Sequence, residues 1–139
     1  MRRSNNLIIQ CARFTLGFSW IYHGFFPKLY QVDPVEKLMT SSFGFTNEVS
    51  LSITRLAGIG EILFGLLLIV AYRNRLLQLL NMLALGALLL FVAIFQSPLL
   101  IAAFNPVTTN IPLMVLSLLL YQQVLYQHVL YQESSAKTG

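Results

Sequence analysis

Charged residues are scarce in this sequence of 139 residues, making up 10% of it, against about 25% in soluble domains. Hydrophobic residues make up 56% of the chain, and the mean hydropathy is +0.69. This shortage of charge excludes an ordinary soluble domain and predicts an integral membrane protein whose main partner is the lipid bilayer. The net charge of +4 does not indicate nucleic-acid binding, because the basic residues mostly flank apolar segments and set orientation instead.

Cysteine and histidine are also rare. The single cysteine, Cys11, excludes an internal disulfide and a CxxC redox centre. The two histidines, His23 and His128, are predicted at opposite membrane faces, roughly 20 Å apart by helical rise, which excludes a haem with two histidine ligands. No Cys/His cluster has zinc spacing, and there is no glycine-rich phosphate loop. We therefore expect neither haem nor metal, and the residues define no reaction.

Four apolar runs are each long enough to cross a bilayer as a helix, which needs about 20 residues. We predict an all-α fold, an integral membrane four-transmembrane-helix bundle with up-down-up-down topology over residues 1–132. A polar cytoplasmic tail is predicted at 133–139. The predicted spans cover residues 7–27, 51–72, 76–96 and 111–130.

The first outer loop contains a helix start signal at Asp33-Pro34-Val35-Glu36. Asp33 suits the N-cap, Pro34 suits the first helical position, and Glu36 can complete a capping box. The signal predicts a short amphipathic helix from Pro34 to about Ser41 at the membrane surface.

Basic residues are distributed unequally between the two ends of the predicted bundle. Only Lys28 and Lys37 flank the outer side, while the other side carries Arg2, Arg3, Arg73, Arg75 and Lys137. Because cytoplasmic loops are enriched in Lys and Arg, this asymmetry predicts that both termini are cytoplasmic.

Glu61 lies near the middle of the second apolar run, where an ionisable group costs roughly 2.5–3.5 kcal/mol. Helical spacing places Gly58 and Gly65 on the face of Glu61, and Gly58, Gly60 and Gly65 are predicted to be packing glycines. A charge in the membrane usually faces a bundle interior and has a partner. Two interpretations remain open, a polar ligand pocket and a structural ion pair that locks helix packing.

The first helix provides the predicted partner of Glu61. Arg13, Gly17, Trp20, Gly24 and Lys28 share one face of it, and we expect Arg13 to pair with Glu61. Lys28 is expected to snorkel to the headgroups, with His23, Arg55 and the 105–110 loop gathered in the outer half. The candidates for a ligand pocket are Arg13, Trp20, His23, Lys28, Arg55, Glu61, Asn105 and Asn110. No catalytic residue or metal ligand is assigned.

Four segments carry a resemblance. They are WIYHGFFPKL at 20–29, DPVE at 33–36, RLAGIGEILFG at 55–65 and FNPVTTNIPL at 104–113. In this order they resemble the first-helix signature, acidic loop, second-helix motif and third-loop region of the DoxX-like membrane proteins. The resemblance covers about residues 13–120 and implies a small four-helix membrane bundle. Relatives in the wider DoxX/DoxD group are linked to membrane redox complexes, including a thiosulfate:quinone oxidoreductase subunit, although a fold does not carry a function by itself.

The leading hypothesis is a small accessory subunit in a bacterial inner (plasma) membrane. It would bind a quinone-like or other small ligand in an intramembrane polar pocket and serve a membrane redox partner. One alternative is a structural or chaperone-like scaffold with a buried Arg13–Glu61 pair. A further alternative is a proton-coupled transporter using Glu61, His23 and Arg55, which ranks last because the two halves show no internal repeat. A homo-oligomer is compatible with each, and the sequence identifies neither ligand nor partner.

Overall fold

The computed structural model describes residues 2–103 and 105–136, with side chains at 6–103 and 105–126. Across these residues the chain is entirely helical. The long helices are α1 (Arg2–Phe25), α3 (Asn47–Val70), α4 (Arg75–Phe95) and α5 (Pro106–Ala136). A π-helical turn, Phe26–Tyr30, extends α1, and α2 (Pro34–Ser41) follows it. A 3-10 turn, Ser97–Ile101, precedes α5. Of the predicted tail at 133–139, residues 137–139 lie outside the described residues.

Local capping explains where several helices begin. The Asp33 carboxylate accepts a hydrogen bond from the Val35 amide at 2.8 Å, with Pro34 in the first turn, as predicted. The predicted capping box is wrong, because the Asp33 amide donates to the Pro27 carbonyl at 2.9 Å and the Glu36 side chain turns elsewhere. The side chain of Asn105 accepts from the Thr108 amide at 3.0 Å. This contact lies at the start of α5, which begins at Pro106 rather than near 111.

Helices α1 and α3 pack antiparallel through reciprocal glycine contacts. A Cβ atom added to Gly58 would lie 2.6 Å from the Gly24 carbonyl oxygen, and one added to Gly65 would lie 2.6 Å from that of Gly17. Real Cβ atoms do not approach backbone oxygens so closely, so glycine is required for this helix spacing. Within the described part of the chain, nothing lies within 4 Å of a Cβ added to Gly60. The prediction that Gly60 is a packing glycine is therefore wrong.

A second antiparallel pair, α4 and α5, is joined by buried polar side chains. The Ser117 hydroxyl donates to the Gln78 carbonyl and side chain, and both residues have 0% exposure. The Trp20 indole donates to Asn81 Oδ1 at 2.7 Å, which links α1 to α4. Because buried polar groups cost free energy when unpaired, the Ser117–Gln78 bonds stabilise the α4–α5 contact, and the Trp20–Asn81 bond joins the two pairs of helices.

Among the described residues, three helices are long and apolar enough to cross a membrane. They are α3, α4 and the Pro106–Tyr126 part of α5. Helix α1 has 24 residues, but Arg13 and His23 lower its hydropathy, and it is not one of the three. The fold is therefore that of an integral membrane protein with apolar helices in contact with lipid.

Candidate ligand site

Lys28 is buried, with 8% of its surface exposed, and its ammonium group contacts two carboxylates. Its ammonium group forms an ion pair with Glu61 of α3 and lies 3.4 Å from Glu36 Oε2 of α2. The side chains of Glu61 and Glu36 are 13% and 16% exposed. A buried ammonium keeps its charge only when it is paired and hydrogen-bonded, so these three residues form one electrostatic unit. We call them the Lys28 cluster.

The backbone after α1 explains why Lys28 turns inward. The prediction that Lys28 reaches the headgroups is wrong, because its side chain is buried and paired with Glu61. The chain continues as a π-helical turn with Pro27 in its first turn, so Lys28 stays on the side of α1 that faces α3. A Cβ atom added to Gly58 would lie 2.8 Å from Lys28 Cβ, which shows how closely this turn packs on α3.

Glu61 has one oxygen available for another group. Its Oε1 atom binds Lys28, while Oε2 is buried and has no hydrogen-bond partner among the described residues. A buried carboxylate oxygen without a donor costs free energy, so this atom favours a donor supplied from outside the protein.

A cavity of about 440 Å³ adjoins the Lys28 cluster. It combines the cluster and a few amide and hydroxyl groups with a mostly apolar wall from α2, α4 and the start of α5. Its lining residues are Ser19, Trp20, His23, Lys28, Val35, Glu36, Met39, Glu61, Leu85, Leu88, Val92, Leu99, Ala102, Asn105, Pro106, Thr109, Asn110 and Leu113. Sites for small molecules have this composition, apolar walls with a few convergent polar groups.

The polar side chains of the wall are held by their own hydrogen bonds. Trp20 is fixed by Asn81, and the Asn105 amide donates to the Ala102 carbonyl at 3.0 Å. The Asn110 amide donates to the Leu85 carbonyl at 3.4 Å. These bonds orient the side chains before any ligand binds, which lowers the entropic cost of binding.

Burial raises the pKa of Glu36, which lies outside the long helices. The positive charge of Lys28 opposes this shift, and the negative charges of Glu61 and Asp33 reinforce it. Proton binding to Glu36 is thus coupled to the charges of Lys28, Glu61 and Asp33.

The structure brings six of the eight predicted pocket residues to this cavity, namely Trp20, His23, Lys28, Glu61, Asn105 and Asn110. Arg55 does not join them, because it lies on an exposed face of α3. The His23–Arg55 grouping expected from their equal depth therefore fails, since depth says nothing about which face of a helix a residue occupies.

The prediction that Arg13 pairs with Glu61 is wrong, because Glu61 pairs with Lys28. Its guanidinium group lies 4.7 Å from the centre of the Tyr72 ring and 4.6 Å from that of Phe14. The glycine contacts set an antiparallel register that brings Glu61 beside Gly24. Arg13 lies three turns closer to the N-terminus of α1 than Gly24, roughly 16 Å from it at 1.5 Å per residue.

Sequence reasoning missed Glu36 and the apolar wall from α4. The sequence predicts Glu36 as part of a helix cap, and its position gives no sign that α2 packs on α3 and brings Glu36 to Lys28. Helix α4 has no charged residue after its first position, so its contribution to a site was invisible. Leu85 and Val92, which lie two turns apart on one face of α4, are buried, and this helical spacing is the one feature that indicates an inward face.

Taken together, the apolar helices and the polar cavity define a small, all-helical integral membrane protein. The model of the DoxX-like family matches residues 17–118, which is more than half of the chain, and the protein belongs to this family. No curated protein matches, and no solved structure matches.

Proposed function

We propose that the cavity beside the Lys28 cluster binds a small amphipathic ligand with a quinone-like headgroup, and that the protein acts as an accessory subunit to a membrane redox partner. The observation that carries the proposal is the unpaired Glu61 Oε2 next to a cavity of about 440 Å³ with largely apolar walls. That volume lies within the range of about 300–1,000 Å³ found for ligand sites.

The chemistry of the cluster suits such a headgroup. A quinone accepts hydrogen bonds at its two oxygens, and the quinol donates them. Lys28 has three donor hydrogens, and Glu61 Oε2 can accept. The apolar side chains of Leu85, Leu88 and Val92 can contact the rest of the ring and the start of a tail.

For the arrangement in the membrane, we propose that α1 is the fourth span beside α3, α4 and α5. Contacts with α3 support this. Glu61 compensates the charge of Lys28 in the turn that extends α1, and the glycines allow the two backbones to pack closely. We also propose the inner membrane as location, with both termini cytoplasmic, from the arginine asymmetry.

Trp20 gives a direct test, since it is the single tryptophan and lines the cavity. Decylubiquinone added to the purified protein in detergent should quench its fluorescence with saturation, and decylubiquinol, which can donate to Glu61 Oε2, should compete with it. Ala102→Phe should abolish saturable quenching, because Ala102 lines the cavity and phenylalanine would fill it. The matched control is Ala87→Phe on an exposed face of α4, which should quench like the wild type. Equal quenching in both variants would refute ligand binding in the cavity.

A structural scaffold is a second candidate, favoured by the glycine contacts and the Lys28–Glu61 pair, which join α1 and α3 without any ligand. Mass spectrometry of protein purified from native membranes separates the two. A bound quinone or similar small molecule supports the accessory-subunit proposal, whereas a stoichiometric protein partner without a small molecule supports the scaffold.

A further inference from the structure

A second cavity lies at the far end of the protein from the Lys28 cluster, and the function proposed above does not use it. It has a volume of about 170 Å³ and lies between the first half of α1, the turn after α3 and the second half of α5. Its polar lining includes Gln10, Tyr72, Arg73 and Gln123, and its apolar lining includes Ile9 and Leu120. We call it the Tyr72 pocket.

Two arginines share the Tyr72 ring. The guanidinium group of Arg13 lies 4.7 Å from the ring centre, and that of Arg73 lies 5.6 Å from it. Both salt bridges found among the described side chains belong to Lys28, so neither arginine meets a carboxylate there. Two like charges on one ring repel each other, and an anion between or beside them would relieve that repulsion.

Unused donors point the same way. Arg13 lies over the Tyr72 ring but outside the lining of the pocket, and its Nε atom is buried with no acceptor among the described residues. Arg73 donates through Nε to the Tyr72 hydroxyl at 3.1 Å, which leaves its terminal nitrogens free to bind another group. Because the Tyr72 oxygen accepts that bond, its own hydrogen can be donated elsewhere. The pocket thus combines positive charge, free donors and side-chain amides, which is the chemistry that recognises phosphate.

We propose that the Tyr72 pocket binds a phosphate group, held by Arg73, Tyr72 and the amides of Gln10 and Gln123, with Arg13 adding positive charge beside the same ring. A phospholipid headgroup and a free phosphate share this chemistry. Ile9 and Leu120, both buried in the core, form the apolar floor of the pocket. Basic pockets between membrane helices bind anionic headgroups in this way.

The test uses the full chain, delipidated in detergent and studied by native mass spectrometry. Phosphatidylglycerol should bind as a discrete adduct, and phosphatidylcholine much more weakly. One arginine near a membrane surface contributes about 1 kcal/mol toward anionic lipid, so Arg73→Gln should weaken phosphatidylglycerol binding roughly fivefold. Arg73→Lys, which retains the charge, should lose less.

The matched control is Arg55→Gln, which removes an exposed arginine from the same protein on α3, far along the helix from Tyr72. It should bind phosphatidylglycerol like the wild type. If inorganic phosphate instead forms the Arg73-dependent adduct and displaces the lipid, the pocket is a site for free phosphate. Equal binding by Arg73→Gln and Arg55→Gln, with melting temperatures showing both variants folded, overturns the proposal. None of these readouts depends on the first cavity.

Discussion

Lys28 shows how a single charge can organise a membrane protein. An ammonium group in an apolar environment is unfavourable by several kcal/mol, and here two carboxylates from different helices offset that penalty. The same residue therefore joins α1, α2 and α3. The consequence is that removing any one of the three leaves a buried charge with less compensation.

Removing the cation should be strongly destabilising. In Lys28→Met, Glu61 and Glu36 remain buried without a partner, which typically costs about 3–5 kcal/mol. The double variant Lys28→Met/Glu61→Met should lose less than Lys28→Met alone. Thermal unfolding in detergent, monitored by size-exclusion chromatography, measures the stability of each variant. Lys37→Met, at an exposed position of α2, is the control and should change stability by less than about 0.5 kcal/mol. The single variant Glu61→Met completes the cycle, and if the double variant loses the sum of the losses of Lys28→Met and Glu61→Met, the residues are not coupled.

Glu36 should give the stability a distinct pH dependence. Burial raises its pKa above the usual value, so the folded protein binds this proton more tightly than the unfolded chain does. Its contribution to stability therefore increases as the pH falls through the raised pKa, and decreases as the pH rises through it. Melting temperatures between about pH 5 and pH 8 should show wild type gaining on Glu36→Gln upon acidification. Lys28, Glu61 and Asp33 face this group and stay unchanged in the comparison. Parallel curves for the two proteins would contradict the raised pKa.

At the scale of helices, the contact between α1 and α3 depends on where glycine is required and where it is not. Gly58 and Gly60 are two residues apart on the same helix, but only Gly58 meets another backbone. This difference makes them a matched pair.

Gly58→Ala should separate α1 from α3, because the new methyl group would overlap the Gly24 carbonyl oxygen. Overpacking of this kind costs about 1–3 kcal/mol. Gly60→Ala should be neutral or slightly stabilising, since alanine is the better helix former and the position is open. Thermal unfolding of the two variants in one detergent compares them directly. A loss at Gly60 as large as at Gly58 would mean that the exposed face of α3 packs against something else.

A local sequence signal predicted α2 correctly. Asp33-Pro34 contains its own start signal, and α2 runs from Pro34 to Ser41 as predicted. The predicted start of α5 near 111 is wrong because Asn105-Pro106 is also typical of a turn. The same start signal as in α2, a capping side chain followed by proline, begins α5 at Pro106.

The partner of Glu61 could not be predicted in this way. The helical period placed Arg13 and Lys28 on the same face, and both were available. The choice between them depends on the register of α1 against α3, which the paired glycines set through tertiary contact. The π-helical turn that carries Lys28 inward also has no sequence signature beyond Pro27. Six of eight candidate residues nevertheless line one cavity. Helical spacing grouped Trp20 with Lys28, whereas His23, Asn105 and Asn110 were grouped by their depth in the outer half.

At the scale of the whole molecule, orientation remains a prediction. Arg73 lies in the turn between α3 and α4, Arg75 begins α4, and Lys37 lies in α2 at the other end of α3. The positive-inside rule then places α2 outside and both termini in the cytoplasm. Alkaline phosphatase fused within 41–45 should be active, and the same enzyme fused after Lys137 should be inactive. Activity of the C-terminal fusion would reverse the assignment.

The distance along the chain between Lys28 and Glu61 imposes an order on biosynthesis. Lys28 leaves the ribosome 33 residues before the carboxylate that neutralises it, and the glycines that receive α1 arrive with that carboxylate. We therefore expect α1 to wait beside the insertion machinery until α3 emerges, so that the two helices enter the bilayer together. Nascent chains ending near residue 45 should be extracted from membranes by alkaline carbonate, while chains that include α3 should resist it. Equal resistance would mean that α1 inserts without α3.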